Sequence, residues 1–166
     1  MPIDVTNTYR ATPDRVLAVL TDETFLREVA QALEAQVTEV SSSADGTDAT
    51  TRMSLSAPTT GIPPVFARFV GPTVPVSQVT TWSPDGDGGF RGRLDLRAEI
   101  MGRQARVTCE RRLVPAADGT RATVSGDARV DAPLIGRQAE GAVRDLVSQV
   151  VLRHEHEVLQ RRLAGS

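Results

Sequence analysis

A chain of 166 residues with 40% hydrophobic and 24% charged residues has the make-up of an ordinary globular domain, which excludes disorder, collagen and fibre. The formal net charge of −2 argues against a surface built to neutralise nucleic-acid phosphates. No apolar run approaches the roughly 20 residues a membrane-spanning helix needs, so no integral membrane association is expected.

All 19 basic residues are arginine. Without lysine there is no Schiff-base chemistry and no P-loop lysine; a preference for arginine codons explains the bias more simply than a phosphate-binding role. Cys109 is the only cysteine, so an intramolecular disulfide and a thiolate zinc cluster are excluded. It sits on the apolar side of an alternating segment, the place of a small buried hydrophobe. The first residues lack the basic and apolar blocks of a secretion signal, which gives the expectation of a cytoplasmic protein. No repeat, low-complexity tract or linker divides the chain, so one domain over 1–166 is expected.

The first segment, 3–9, alternates and reads as a strand with Ile3, Val5, Asn7 and Tyr9 on one face. Thr12, Pro13 and Asp14 form a helix start: a capping hydroxyl, a first-turn proline and an early acid. Thr21 and Asp22 interrupt it and begin a second helix, with Phe25, Leu26, Val29, Ala30 and Leu33 at helical spacing. Strands are then expected over 37–43 and 48–57, around the hairpin residues Asp45 and Gly46, and over 74–83. From 90 to 100 the period of two is at its clearest, and two more strands follow over 105–113 and 122–130.

After Pro133 the period becomes helical as far as Leu163, about 28 residues and about 42 Å. Its stripe comprises Ala139, Val143, Leu146, Val147, Val150, Val151, His154 and Val158. The order is strand, two short helices, six or so antiparallel strands and one long helix. That order specifies an α+β helix-grip fold: a curved antiparallel sheet of about six to seven strands wrapped on the C-terminal helix.

The opening run from Tyr9 to Val16, followed by Leu20, Thr21 and Asp22, is similar to the first strand and helix entry of the START-like superfamily. That group also contains polyketide cyclases and the birch-pollen allergen. Ser125, Gly126 and Asp127, leading through Ala132 to Gly136 before the long helix, fit the same pattern. Within the superfamily, the spacing through Gly136, Glu140 and Val143 most resembles the bacterial family known as domain of unknown function 2505. The resemblance spans essentially the whole chain. It implies an apolar ligand between the sheet and the last helix, since members include lipid carriers, cyclases and hydratases. No catalytic motif of those members carries over residue by residue, so binding without turnover is the leading expectation.

Several residues are candidates for the site. A helical wheel places His154 on the stripe between Val150, Val151 and Val158, where an imidazole can orient a ligand or act as acid or base. A satisfied structural histidine is the plainer reading. His156 falls about 200° further round and is expected in solvent. Residues two apart on a helix diverge, so this pair does not form a metal site, and no metal or cofactor is expected.

Arg111 interrupts the inward alternation of its strand, so it either points inward, where it needs an anionic partner such as a ligand carboxylate, or turns out at a bulge. Trp82 has inward parity, as core filler or ligand wall. Asn7 and Tyr9 are weaker polar candidates on the first strand. The segment 58–72 is read as a short helix from Pro64 whose Val65, Phe66, Phe69 and Val70 form a gate, or a surface for a partner or membrane. The arginines of 91–112, interleaved with Asp95, Glu99 and Glu110, read as a solvated ladder.

Three functions are therefore weighed: a carrier for a hydrophobic or amphipathic molecule, a cyclase-, hydratase- or isomerase-type enzyme using His154, and a partner-binding or dimerising domain using the 62–70 segment. A monomer and a homodimer are both compatible with the sequence.

Overall fold

The computed structural model describes residues 2–59, 71–100 and 102–165. Seven strands form one antiparallel sheet: β1 (Ile3–Tyr9), β2 (Gln36–Asp45), β3 (Asp48–Pro58), β4 (Thr73–Pro84), β5 (Phe90–Ile100), β6 (Arg103–Ala116) and β7 (Gly119–Val130). Their spatial order is β1-β7-β6-β5-β4-β3-β2. The first and second strands are thus the two edges. Helices α1 (Pro13–Leu20) and α2 (Glu23–Ala32) carry the chain from one edge to the other.

The two helices start where their capping residues stand. Thr12 accepts from the Arg15 backbone N–H at 3.3 Å, and Pro13 fills the first turn of α1. Asp22 accepts from the Thr24 backbone N–H at 2.9 Å and caps α2. Each cap contributes about 1 kcal/mol. Val16 and Leu20 of α1 and Phe25, Leu26, Val29 and Ala30 of α2 are buried against the sheet and the C-terminal helix. At the β2–β3 hairpin Gly46 takes the φ of +64° that a two-residue turn demands.

The register sorts the sheet into rows. One inward row runs Ala49, Trp82, Gly92, Arg111, Val124 and Val5. The next runs Thr51, Thr80, Leu94, Cys109, Gly126 and Ile3. No bulge interrupts β6 at Arg111, so this arginine keeps the inward parity of Val107, Cys109 and Leu113 and is buried. Trp82 likewise faces inward and is 2% exposed. The outer face carries the charge ladder: Asp95 meets Arg97 and Arg106, while Asp85 and Glu110 meet Arg91 and Arg112.

The C-terminal helix is 29 residues long, but it is not one straight α-helix. It comprises α3 (Gly136–Leu146), a π-helical turn (Val147–Val151) and α4 (Leu152–Ala164). A wider turn adds a residue to the repeat. The buried face therefore passes from Val147 to Leu152, five residues on, and then to Val158 and Leu159. This corrects the single stripe expected from a uniform 100° step. His154 lies half-buried beside that face rather than at its centre, and Glu155 takes the position opposite β6. His156 is corrected as well: instead of standing in solvent, it is half-buried against β1. The expected helix from Pro64 and its side chains Phe66 and Phe69 lie outside the described residues.

Candidate functional site

The centre of the interior is polar. Arg111 projects from β6 and forks onto both carboxylate oxygens of Glu155 on α4; one of the two bonds measures 3.1 Å. The guanidinium also stands over the Trp82 ring, 5.4 Å from its centroid, a cation–π distance. Burial opposes a charge on Arg111, but the adjacent Glu155 carboxylate outweighs it and holds the guanidinium pKa above its ordinary value. The anionic partner that the buried arginine requires is thus supplied by the protein itself. A ligand carboxylate is not needed to satisfy it.

Gly92 makes this arrangement possible. It stands between Trp82 and Arg111 in the inward row, and a Cβ there would lie 2.6 Å from the indole. The ring rests on the bare backbone of β5, which brings its face beneath the guanidinium. A glycine at an inward position of an otherwise regular alternation was the sequence signal for a close approach of this kind. Glu155 was legible only as one member of a charged run on the helix.

A second polar contact flanks the first. Tyr9 Oη lies 2.8 Å from Nδ1 of His156, with the ring centroids 5.4 Å apart. Burial, reinforced by the Glu155 carboxylate, pushes the Tyr9 phenol pKa up, against a smaller lowering by Arg111. The hydroxyl therefore stays protonated at neutral pH and can donate to His156. Tyr9 also borders an open groove of about 830 Å³ between β1, the β6–β7 turn and the last turn of α4. Asn7 is half-buried beside Ala122.

His154 does not join this cluster. Its Nδ1 lies 2.7 Å from the Val150 carbonyl oxygen. A carbonyl only accepts, so Nδ1 carries a proton. Residues 154 and 156 diverge by about 200°. His154 is therefore on the flank of α4 away from β1 and towards the broad part of the sheet.

Beyond the Arg111 row, the concave face is only partly buried among the described residues. The inward residues Leu55, Val76, Gln78, Leu96 and Ala98 on β3–β5 are only half-buried. On the helix side Ala139, Val143, Leu146 and Val150 are half-buried too. α3 packs on β7, at the β1 side of the sheet, so among the described residues this helix does not lie on β3–β5 at this end. Thr80 is 2% exposed on the same face, and its hydroxyl has no partner among the described residues. An unsatisfied buried hydroxyl is uncommon in a native fold.

The fold is that of the START-like group. The chain matches the family described as Protein of unknown function (DUF2505) over residues 4–163 and belongs to it. A solved protein from Rhizobium leguminosarum is similar with a TM-score of 0.63 at 9% identity, covering 100% of this chain and 95% of that one. The STAR-related lipid transfer protein (fragment 25–204) from Xanthomonas axonopodis gives a TM-score of 0.52 at 20% identity, covering 97% and 83%. A START superfamily protein from Mycobacterium smegmatis gives 0.52 at 14% identity, covering 99% and 97%. No curated protein matches the chain. Among the described residues, no helix is long and apolar enough to cross a membrane.

Proposed function

We propose that the protein binds a hydrophobic or amphipathic small molecule, of lipid or polyketide-like character, between the concave face of the sheet and the C-terminal helix. The observation that carries this reading is the half-buried apolar surface of β3–β5. Leu55, Val76, Leu96 and Ala98 point inward yet stay half-buried, opposite half-buried Val143, Leu146 and Val150. Apolar surface is favourably removed from water, so a concave apolar face that is only half-buried is where an apolar ligand gains free energy. The similarity to a STAR-related lipid transfer protein supports the same class of ligand.

The polar groups have separate tasks in this reading. Trp82 and the Arg111–Glu155 pair form a closed floor, and Tyr9, Asn7 and His156 lie behind it. Among the described residues, the Thr80 hydroxyl and Nε2 of His154 have no hydrogen-bond partner, and in this reading they are the groups that meet a ligand hydroxyl or carbonyl. Filling the space should then compete with the ligand. Ala98→Trp is expected to abolish binding of an apolar fluorescent probe such as anilinonaphthalene sulfonate while leaving thermal stability unchanged or raised. If the site were a packed core, the same substitution would destabilise the fold by about 1–3 kcal/mol, and that result would overturn the proposal.

Turnover by His154 is the second reading, favoured by one observation: its Nδ1 is fixed by the Val150 carbonyl, which leaves Nε2 poised as a general base. The two readings separate on the recovered compound. A carrier returns a co-purified ligand unchanged after incubation. An enzyme returns it altered, and His154→Gln prevents the change.

A further inference from the structure

Leu134 combines full exposure with a left-handed backbone. It is 103% exposed, the only large hydrophobic residue among the described ones to be so. Its backbone adopts a φ of +73°, the left-handed region that a side-chain-bearing residue enters at a cost. A side chain that buries nothing and strains the backbone contributes nothing to the fold. Strain that persists in a native structure points outward, to a role in recognition.

The surroundings indicate what is recognised. Leu134 is at the tip of the connection between β7 and α3, which is held to the start of β6 by the Asp131 N–H bonded to the Gln104 carbonyl at 2.9 Å. Val130 pairs with Ala105, Ala105 with Ala98, Ala98 with Val76 and Val76 with Leu55. Leu134 therefore crowns the same end of the sheet at which the described concave face is only half-buried. Arg103, Arg129 and Arg137 are exposed around it and make no ion pair among the described residues. The acids at this end are Glu99 and Asp131, both exposed, and Glu140, which accepts from the Val130 N–H.

α3 begins directly after Leu134 with no side-chain cap and no acid in its first turn, whereas α1 and α2 are both capped by side chains. Among the described residues, no side chain neutralises the partial positive charge of its first turn.

We infer that Leu134 docks this end of the domain on an anionic lipid surface. A lone protruding leucine needs no matching pocket in a bilayer interface, where its side chain enters the acyl boundary. The three arginines and the uncapped helix terminus meet lipid phosphates. The contact is peripheral and reversible, and it sets the mouth of the cavity against the source of an apolar ligand.

The test uses the full chain with vesicles of phosphatidylcholine alone and of phosphatidylcholine with about 30% phosphatidylglycerol. The wild-type protein is expected to co-sediment with the anionic vesicles and to be released by raised salt. Leu134→Gly and Leu134→Asn place residues that tolerate a positive φ at this position. Both are expected to weaken vesicle binding about tenfold without lowering the melting temperature.

No binding by the wild type, equal binding by the variants, or a melting temperature several degrees lower in both would overturn the inference. So would a change of oligomeric state in the variants with no change in vesicle binding, because the leucine would then serve a second copy of the chain. A negative vesicle result leaves probe binding in the cavity untouched, so the two proposals fail separately.

Discussion

Arg111 and Glu155 join the sheet to the C-terminal helix by a two-point ion pair inside the molecule, with side-chain exposures of 9% and 17%. The pair lies between two apolar clusters. One is built from Tyr9, Val16, Phe25, Trp82, Leu113 and Leu159, the other from Ile3, Leu94, Val107, Cys109, Val147 and Leu152. A polar tie of this kind fixes the position of the helix over the sheet, because an apolar contact alone would tolerate sliding. It also closes one end of the interior.

Removing one partner of the pair strands a buried charge. Arg111→Met and Glu155→Leu are each expected to lower stability by about 3–5 kcal/mol. The double substitution should recover most of that loss, since desolvation no longer has to be offset. Urea unfolding of the two single variants and the double one measures this. Equal losses in all three would mean that the pair is not coupled.

Gly92 and Trp82 form the second structural pair. Gly92→Ala brings a methyl group to 2.6 Å from the indole, so the ring or the strand must move, at roughly 1–3 kcal/mol. Trp82 is the only tryptophan, and its fluorescence reports the displacement directly. A red-shifted emission with reduced stability is expected for Gly92→Ala. An unchanged emission spectrum would show that the ring does not depend on the glycine.

The alkaline limb of stability has a definite sign. Burial pushes the Cys109 thiol up to about 11, with Arg111 lowering it and Asp127 raising it in part, and burial also raises the Tyr9 phenol. Both groups hold their protons more tightly in the folded chain. Their contribution is complete below the unfolded-state values, near 9 and 10. It is lost as pH rises through the folded ones. Stability is therefore expected to fall above about pH 9. Cys109→Ala and Tyr9→Phe should each flatten the decline, as followed by urea titrations at stepped pH. A thiol reagent at pH 8 should leave native Cys109 unmodified.

The elements of this fold were legible because each rests on local physics. The caps at Thr12 and Asp22, the hairpin residues at Asp45 and Gly46, the two-residue alternation of β5–β7 and the apolar spacing after Pro133 are signals carried within a few residues. Together with the order of elements they determine the helix-grip architecture.

The site was less legible, because its contacts join residues that are distant in the chain. Arg111 required a partner, but nothing local distinguished Glu155, 44 residues away, from the other acids of its helix. The π turn then shifted the face of α4 by one residue, bringing Glu155 and His156 inward and setting His154 to one side. A uniform helical repeat does not contain that displacement. The sequence by itself thus determined the fold and the family. Only the tertiary structure decided which side chains meet inside it, because burial and pairing are settled when the helix closes over the sheet.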